Sequence, residues 1–83
     1  MRLRRSVVVV TGASTGIGRS IAARLARKGG LVWAVARSER HLEELAGEHP
    51  NVVPFVADVS DDAQRAALIA AVGPVDILVN NAG

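Results

Sequence analysis

Eighty-three residues are enough for one small domain, and the absence of cysteine excludes both disulfides and thiolate-bound metal. Hydrophobic residues make up 49% of the chain and glycine adds 8 positions, an apolar share above that of an average domain. The formal charge of +2 hides an asymmetry: residues 1–40 carry nine basic side chains against Glu39 alone, whereas residues 41–83 carry Arg65 against seven acids. A basic half fits a compact anionic ligand. With one Trp, one Phe and no Tyr to stack on bases, no nucleic-acid partner is expected.

The basic start, Met1 to Arg5, leads into an apolar run of only Val7 to Val10 before Thr11-Gly12. That run is too short for a signal peptide or a membrane span, so a soluble, cytoplasmic chain is expected, with no membrane partner. Four consecutive valines predict instead a strand buried on both faces. After the turn that follows, Ile17, Ile21 and Leu25 recur every four residues beside Ala22 and Ala26, an apolar stripe on a helix that Gly29-Gly30 ends. Leu31 to Ala36 reads as a second strand. Ser38 is placed to cap a short helix over Glu39 to Ala46, closed by Gly47.

A third strand is expected over Val52 to Ala57. Its Pro54 cannot donate to a ladder and so belongs at a sheet edge. Ser60 then caps a helix with Asp61 and Asp62 in its first turn, running through Leu68 and Ile69 to Val72 and ending at Gly73-Pro74. Val75 to Val79 makes a fourth strand before Asn80-Asn81-Ala82-Gly83. The alternation β-α-β-α-β-α-β with right-handed crossovers implies an α/β fold: a doubly wound parallel sheet, half of a Rossmann fold. Its nucleotide-binding version has the strand order 3-2-1-4, which puts Pro54 on the edge strand. Residues 1–83 read as a single domain of this kind.

In such sheets a ligand binds beyond the carboxyl ends of the strands, where a helix N-terminus offers free N–H groups to an anion. The segment Thr11-Gly12-Ala13-Ser14-Thr15-Gly16-Ile17-Gly18 lies there. Gly12 permits a sharp turn, Gly16 lets backbone approach a pyrophosphate, and Gly18 lets the helix pack closely. Ser14 and Thr15 add hydroxyl donors. The spacing is not that of a P-loop, which needs Gly-Lys-Ser/Thr. A turn without a ligand is the alternative, at the entropic cost of three glycines. His41 and His49 have no nucleophile or metal partner at ligand spacing, and both are expected to be solvated; no metal site is expected.

Together with Asn80-Asn81-Ala82-Gly83, about sixty residues further on, this segment resembles the short-chain dehydrogenase/reductase family. Asp58-Val59 after the third strand matches a further family feature. The stretch Val72 to Asn81 resembles the carbonyl and xylulose reductase branch. The resemblance implies a nicotinamide dinucleotide as partner. Gly12, Ser14, Thr15, Gly16, Ile17 and Gly18 would then meet the pyrophosphate and adenosine ribose. Asp58 would bond the adenine amino group, with Val59 along the base. Asn80, Ala82 and Gly83 would lie beside the adenosine ribose.

An NAD site wants a carboxylate at the end of the second strand. Alanine stands there as Ala36, followed by Arg37, whose guanidinium suits a 2′-phosphate, and by Ser38. NADP(H) is therefore expected as cofactor over NAD(H). The basic residue that NADP members of the family often carry at the position of Thr15 is absent, and an exposed surface arginine is the other reading of Arg37. The family's catalytic tyrosine, lysine and serine have no counterpart here. The chain has no tyrosine, and its one lysine, Lys28, lies on the first helix. No catalytic residue is assigned. Two functions stay open: the cofactor-binding part of a carbonyl/alcohol oxidoreductase, or a free-standing nucleotide-binding module without catalysis. A fourth strand with an open edge implies self-association through it.

Overall fold

The computed structural model describes residues 3–81. Val7 to Thr11 form β1, one residue longer than the valine run, since Thr11 stays in the ladder opposite Val35 and Asn80. Every strand is parallel to its neighbours, in the order β3-β2-β1-β4, with β2 over Leu31–Ala36, β3 over Val52–Val56 and β4 over Ile77–Asn80. Pro54 sits opposite Ala34 on the outer strand β3, where its missing N–H breaks no ladder bond.

The two faces of the sheet are covered differently. Helices α1 (Gly16–Arg27) and α2 (Glu39–Glu48) cover one face, where Val8, Val10, Val32 and Ala34 pack with Ala22, Ala26, Leu42 and Leu45. Alanines on both sides of this contact bring α1 close to the sheet. The other face carries Val9 and Val35 against Leu68 of α3 (Asp62–Val72), flanked by Trp33 and Phe55 with ring centroids 6.1 Å apart.

Four local expectations are revised. Ile17 is not on the buried stripe of α1. Gly18, Ala22 and Ala26 are, and Ile17 is 72% exposed at the start of the helix. Gly47 does not end α2, which runs on to Glu48. Asp61, not Ser60, caps α3, its carboxylate accepting from the Gln64 N–H at 3.0 Å. Finally, β4 begins at Ile77 rather than Val75. Asp76 there turns its carboxylate onto the Val7 N–H at 2.7 Å, while its own N–H donates to the Val7 carbonyl at 2.9 Å. This side-chain closure replaces a rung of the ladder and leaves Val75 44% exposed.

Candidate functional site

The carboxyl ends of β1, β2 and β3 open onto one groove. Gly12, Val35, Ala36, Arg37, Ala57, Asp58, Val59 and Ser60 line it. Of the residues singled out in the sequence, Gly12, Arg37, Asp58 and Val59 are thus brought together from three separate turns. Asn80 lies beyond Thr11 on the α3 side, in an adjoining hollow that Val59 and Ser60 also line. Ala82 and Gly83 lie outside the described residues.

The turn from β1 into α1 is pinned at its base and open at its tip. Ala13 is fully buried and its N–H donates to the Val35 carbonyl at 3.1 Å, fastening the turn to β2. Gly12 has φ +65° and Gly16 φ +58°, a backbone that side chains resist. A Cβ on Gly16 would meet nothing within 4 Å, so the space outside this residue is free of protein. Gly18 is the opposite case. A Cβ there would overlap the Gly12 carbonyl oxygen and lie 2.6 Å from Asn81 Nδ2, so α1 packs on the turn itself and on the end of β4.

Thr15 precedes α1 in an extended conformation without capping it through its side chain, and the first turn of the helix contains no acid. The helix dipole at this end is therefore met by no carboxylate of its own, an arrangement that favours an anion. Thr15, Gly16 and Ile17 are exposed there and Ser14 is half-buried.

Asp58 is held in a tight turn. Its Oδ1 accepts from the Ser60 hydroxyl at 2.6 Å and the Ser60 N–H at 3.0 Å, and its own N–H donates to Gln64 Oε1 at 2.8 Å. Those Ser60 bonds, with the Arg37 guanidinium across the groove adding a smaller effect, hold its carboxyl below the ordinary value of 3.8. Asp58 is therefore an anion at neutral pH, and both of its carboxylate hydrogen bonds fall on Oδ1.

The ends of β1 and β4 are clamped by a network that the sequence reading had only partly marked. Thr11 Oγ1 donates to Asn80 Oδ1 at 3.0 Å and accepts from the Asn81 N–H at 3.0 Å, while Asn81 Nδ2 reaches the Gly12 carbonyl at 3.4 Å. Asn81 and Ser60 are thus positioning residues in addition to the site residues expected from the sequence. The paired asparagines after a strand were the available signal for Asn81. Ser60 was hidden by its resemblance to a helix cap.

Ser38 departs from its expected role. It precedes α2 but makes no side-chain bond to the helix backbone. Its Oγ instead lies 2.7 Å from His41 Nδ1, so His41 is half-buried and partnered rather than solvated. His49 too is half-buried, as the residue that ends α2. Among the described residues no group of three or more histidines and carboxylates is placed to hold a metal, and no helix is long and apolar enough to cross a membrane.

A family model described as short chain dehydrogenase matches residues 6–83. A putative ketoacyl reductase of granaticin polyketide synthase from Streptomyces violaceoruber is 48% identical over 95% of this chain and 32% of its own length. L-xylulose reductase from Bos taurus is 43% identical over 99% of this chain and 34% of its own. A crystal structure of an actinorhodin polyketide ketoreductase variant with NADPH superposes with a TM-score of 0.80 at 39% identity, covering 95% of this chain and 33% of that one. The chain therefore spans about a third of the length of the proteins it matches.

Proposed function

Since this chain belongs to the short-chain dehydrogenase/reductase family, we propose that residues 1–83 form one domain that binds NADP(H) for an oxidoreductase acting on a carbonyl/alcohol pair. The observation that carries the reading is Arg37. It lines the same groove as Gly12 and Asp58 and directly follows Ala36, where an NAD site would place a carboxylate. A guanidinium there pairs with a 2′-phosphate in a charge-assisted, bidentate fashion.

The residues present fit such a cofactor. Open space outside Gly16 and an uncompensated helix N-terminus suit a pyrophosphate, with Gly12, Ser14, Thr15, Ile17 and Gly18 forming the turn around it. Asp58 keeps Oδ2 for the adenine amino group because Ser60 occupies Oδ1. Val59 supplies an apolar wall for the base. Asn80 stands on the adenosine-ribose side, the role also proposed for Ala82 and Gly83, which lie outside the described residues. Ser38 joins Arg37 at the 2′-phosphate. The bound cofactor supplies or takes a hydride; these residues bind and orient its adenosine end, and no group among them serves as the acid/base, because the chain has no tyrosine.

The similar ketoreductase solved with NADPH supports the preference for the phosphorylated cofactor. Titration calorimetry on the purified chain tests it. NADPH should bind more tightly than NADH, by about 1–3 kcal/mol for one charged hydrogen-bonding partner, and equal affinities would overturn the reading.

The second reading is a free-standing nucleotide-binding module without catalysis of its own; the lack of tyrosine in these 83 residues is common to both readings. Under either reading the 83-residue chain binds cofactor and does not reduce carbonyl compounds. Turnover by purified chain would show an unassigned catalytic group. We further infer a cytoplasmic protein whose isolated chain self-associates along β4.

A further inference from the structure

We propose that His41 is a specificity-determining residue, one that sets whether Ser38, which directly follows the groove-lining Arg37, has its hydroxyl proton free for a 2′-phosphate. The inference rests on the placement of Arg37 and Ser38 at a 2′-phosphate. A serine before a helix usually accepts from a free backbone N–H of the first turn. Ser38 does not; its Oγ is engaged at 2.7 Å by His41 Nδ1 instead.

Ser38 has one hydroxyl proton, and the state of Nδ1 decides where it goes. When Nδ1 is bare, Ser38 donates to the imidazole and its oxygen has only lone pairs left, which suit a ribose hydroxyl. When Nδ1 carries hydrogen, the ring donates and the serine proton is released toward a phosphate oxygen. The second arrangement exists as the Nδ1–H tautomer or as the imidazolium, and the imidazolium adds a positive charge beside Arg37. Binding of a 2′-phosphate and protonation of Nδ1 are thereby linked, each favouring the other. Histidine is the side chain able to make that change near neutral pH.

The charged groups around the start of α2 are Arg37 before it, Glu39 in its first turn, and Arg40, Glu43 and Glu44 around His41, all of them exposed to solvent. Glu44, one turn on from His41, is shared between Arg40 and Arg19 of α1 at 3.5 and 3.6 Å. Asp58, beyond β3, is occupied by Ser60 and lies under the influence of Arg37. The charge within the groove itself that favours a phosphate is Arg37 alone among its lining residues.

The test compares the wild-type chain with His41→Gln, whose amide hydrogen-bonds but does not titrate, using NADPH and NADH as ligands from about pH 8 to about pH 5.5. A 2′-phosphate loses part of its charge over this range, so NADPH affinity should fall on acidification in the variant. In the wild type it should be sustained. The wild-type-to-variant ratio for NADPH is expected to grow about three- to tenfold, the size of a modest proton linkage, while the ratio for NADH stays flat. Proton NMR of the wild type gives a second readout that needs no variant. Saturating NADPH should move the His41 titration to higher pH and leave His49, at the far end of α2, where it is. If NADPH is preferred yet the ratio is flat and the His41 titration does not move, His41 has no such role and the assignment of Arg37 survives. Binding without preference at any pH overturns both.

Discussion

The carbonyl oxygen of Gly12 occupies the space that a side chain at Gly18 would need. The same vacant Cβ direction is bounded by Asn81 Nδ2, so one missing methyl joins the β1 turn, the α1 helix and the end of β4. Gly18→Ala must displace backbone rather than a flexible side chain. It is expected to cost about 3 kcal/mol, the upper end of the usual range for overpacking. Gly47→Ala is the matched control. It lies in helix α2 with nothing within 4 Å of its Cβ direction, and should stabilise by about 0.5–1 kcal/mol. Chemical denaturation of both variants checks the pair, and similar midpoints would contradict the packing described.

Cofactor preference should follow the two residues that end β2 and begin the next turn. Arg37→Ala is expected to erase most of the NADPH advantage without weakening NADH. Ala36→Asp should go further and reverse it, since a carboxylate accepts from ribose hydroxyls and repels a phosphate. Ala36 is only 8% exposed, so the aspartate variant also needs a stability measurement beside the calorimetry. If Ala36→Asp stays folded and still prefers NADPH, the phosphate is bound elsewhere.

Asp58 gives the chain a pH-dependent element with a defined sign. Its folded-state pKa is depressed, so its contribution to stability is present above the unfolded value and is lost as pH falls through the folded one. Wild type and Asp58→Asn should therefore differ most near neutrality and converge below about pH 4. The Ser60 hydroxyl is the largest cause of the depression. Ser60→Ala should accordingly raise the Asp58 pKa measured by carboxyl NMR more than Arg37→Ala does. An equal or opposite order would mean that the turn around Asp58 is held differently.

Where the sequence was legible, the responsible physics was local or periodic. The β-branched run Val7 to Val10 specifies a buried strand, Pro54 specifies an edge, and three glycines at fixed spacing specify a tight turn. The strand order β3-β2-β1-β4 follows from the nucleotide-binding arrangement of such a doubly wound sheet, with which the edge position of Pro54 agrees. What escaped depended on competition between partners. Ser60 and Asp61 both suit a helix cap, and only the fold shows that Asp61 takes it while Ser60 serves Asp58. Val75 looks like strand until Asp76 closes onto Val7 across the sheet, a contact 69 residues away in sequence. Ser38 looks like a cap until His41, one helical turn on, takes its hydroxyl. Ile17 fits a four-residue apolar period, yet α1 rotates to bury the smaller Gly18, Ala22 and Ala26 against the sheet.

The outer edge of β4 carries the last prediction. Among the described residues β4 pairs with β1 alone. On the α3 side of that strand Leu78 is 64% exposed, near Val75 at 44% and Ile69 at 64% on α3. An open ladder beside exposed apolar side chains is a template for another strand, and Asp76, the charge nearest that edge, is committed to the Val7 N–H. The isolated chain is expected to associate, with β4 meeting β4 about a two-fold axis. Val79 is a poor place to interfere, because it packs against the core under α1. Leu78→Lys adds a charge on the exposed side and spares that packing. Sedimentation should show a wild-type weight that rises with concentration and a variant that stays closer to monomer. A wild-type chain that is monomeric at high concentration would refute association through this edge, and one that associates as well after Leu78→Lys would move the interface off this face.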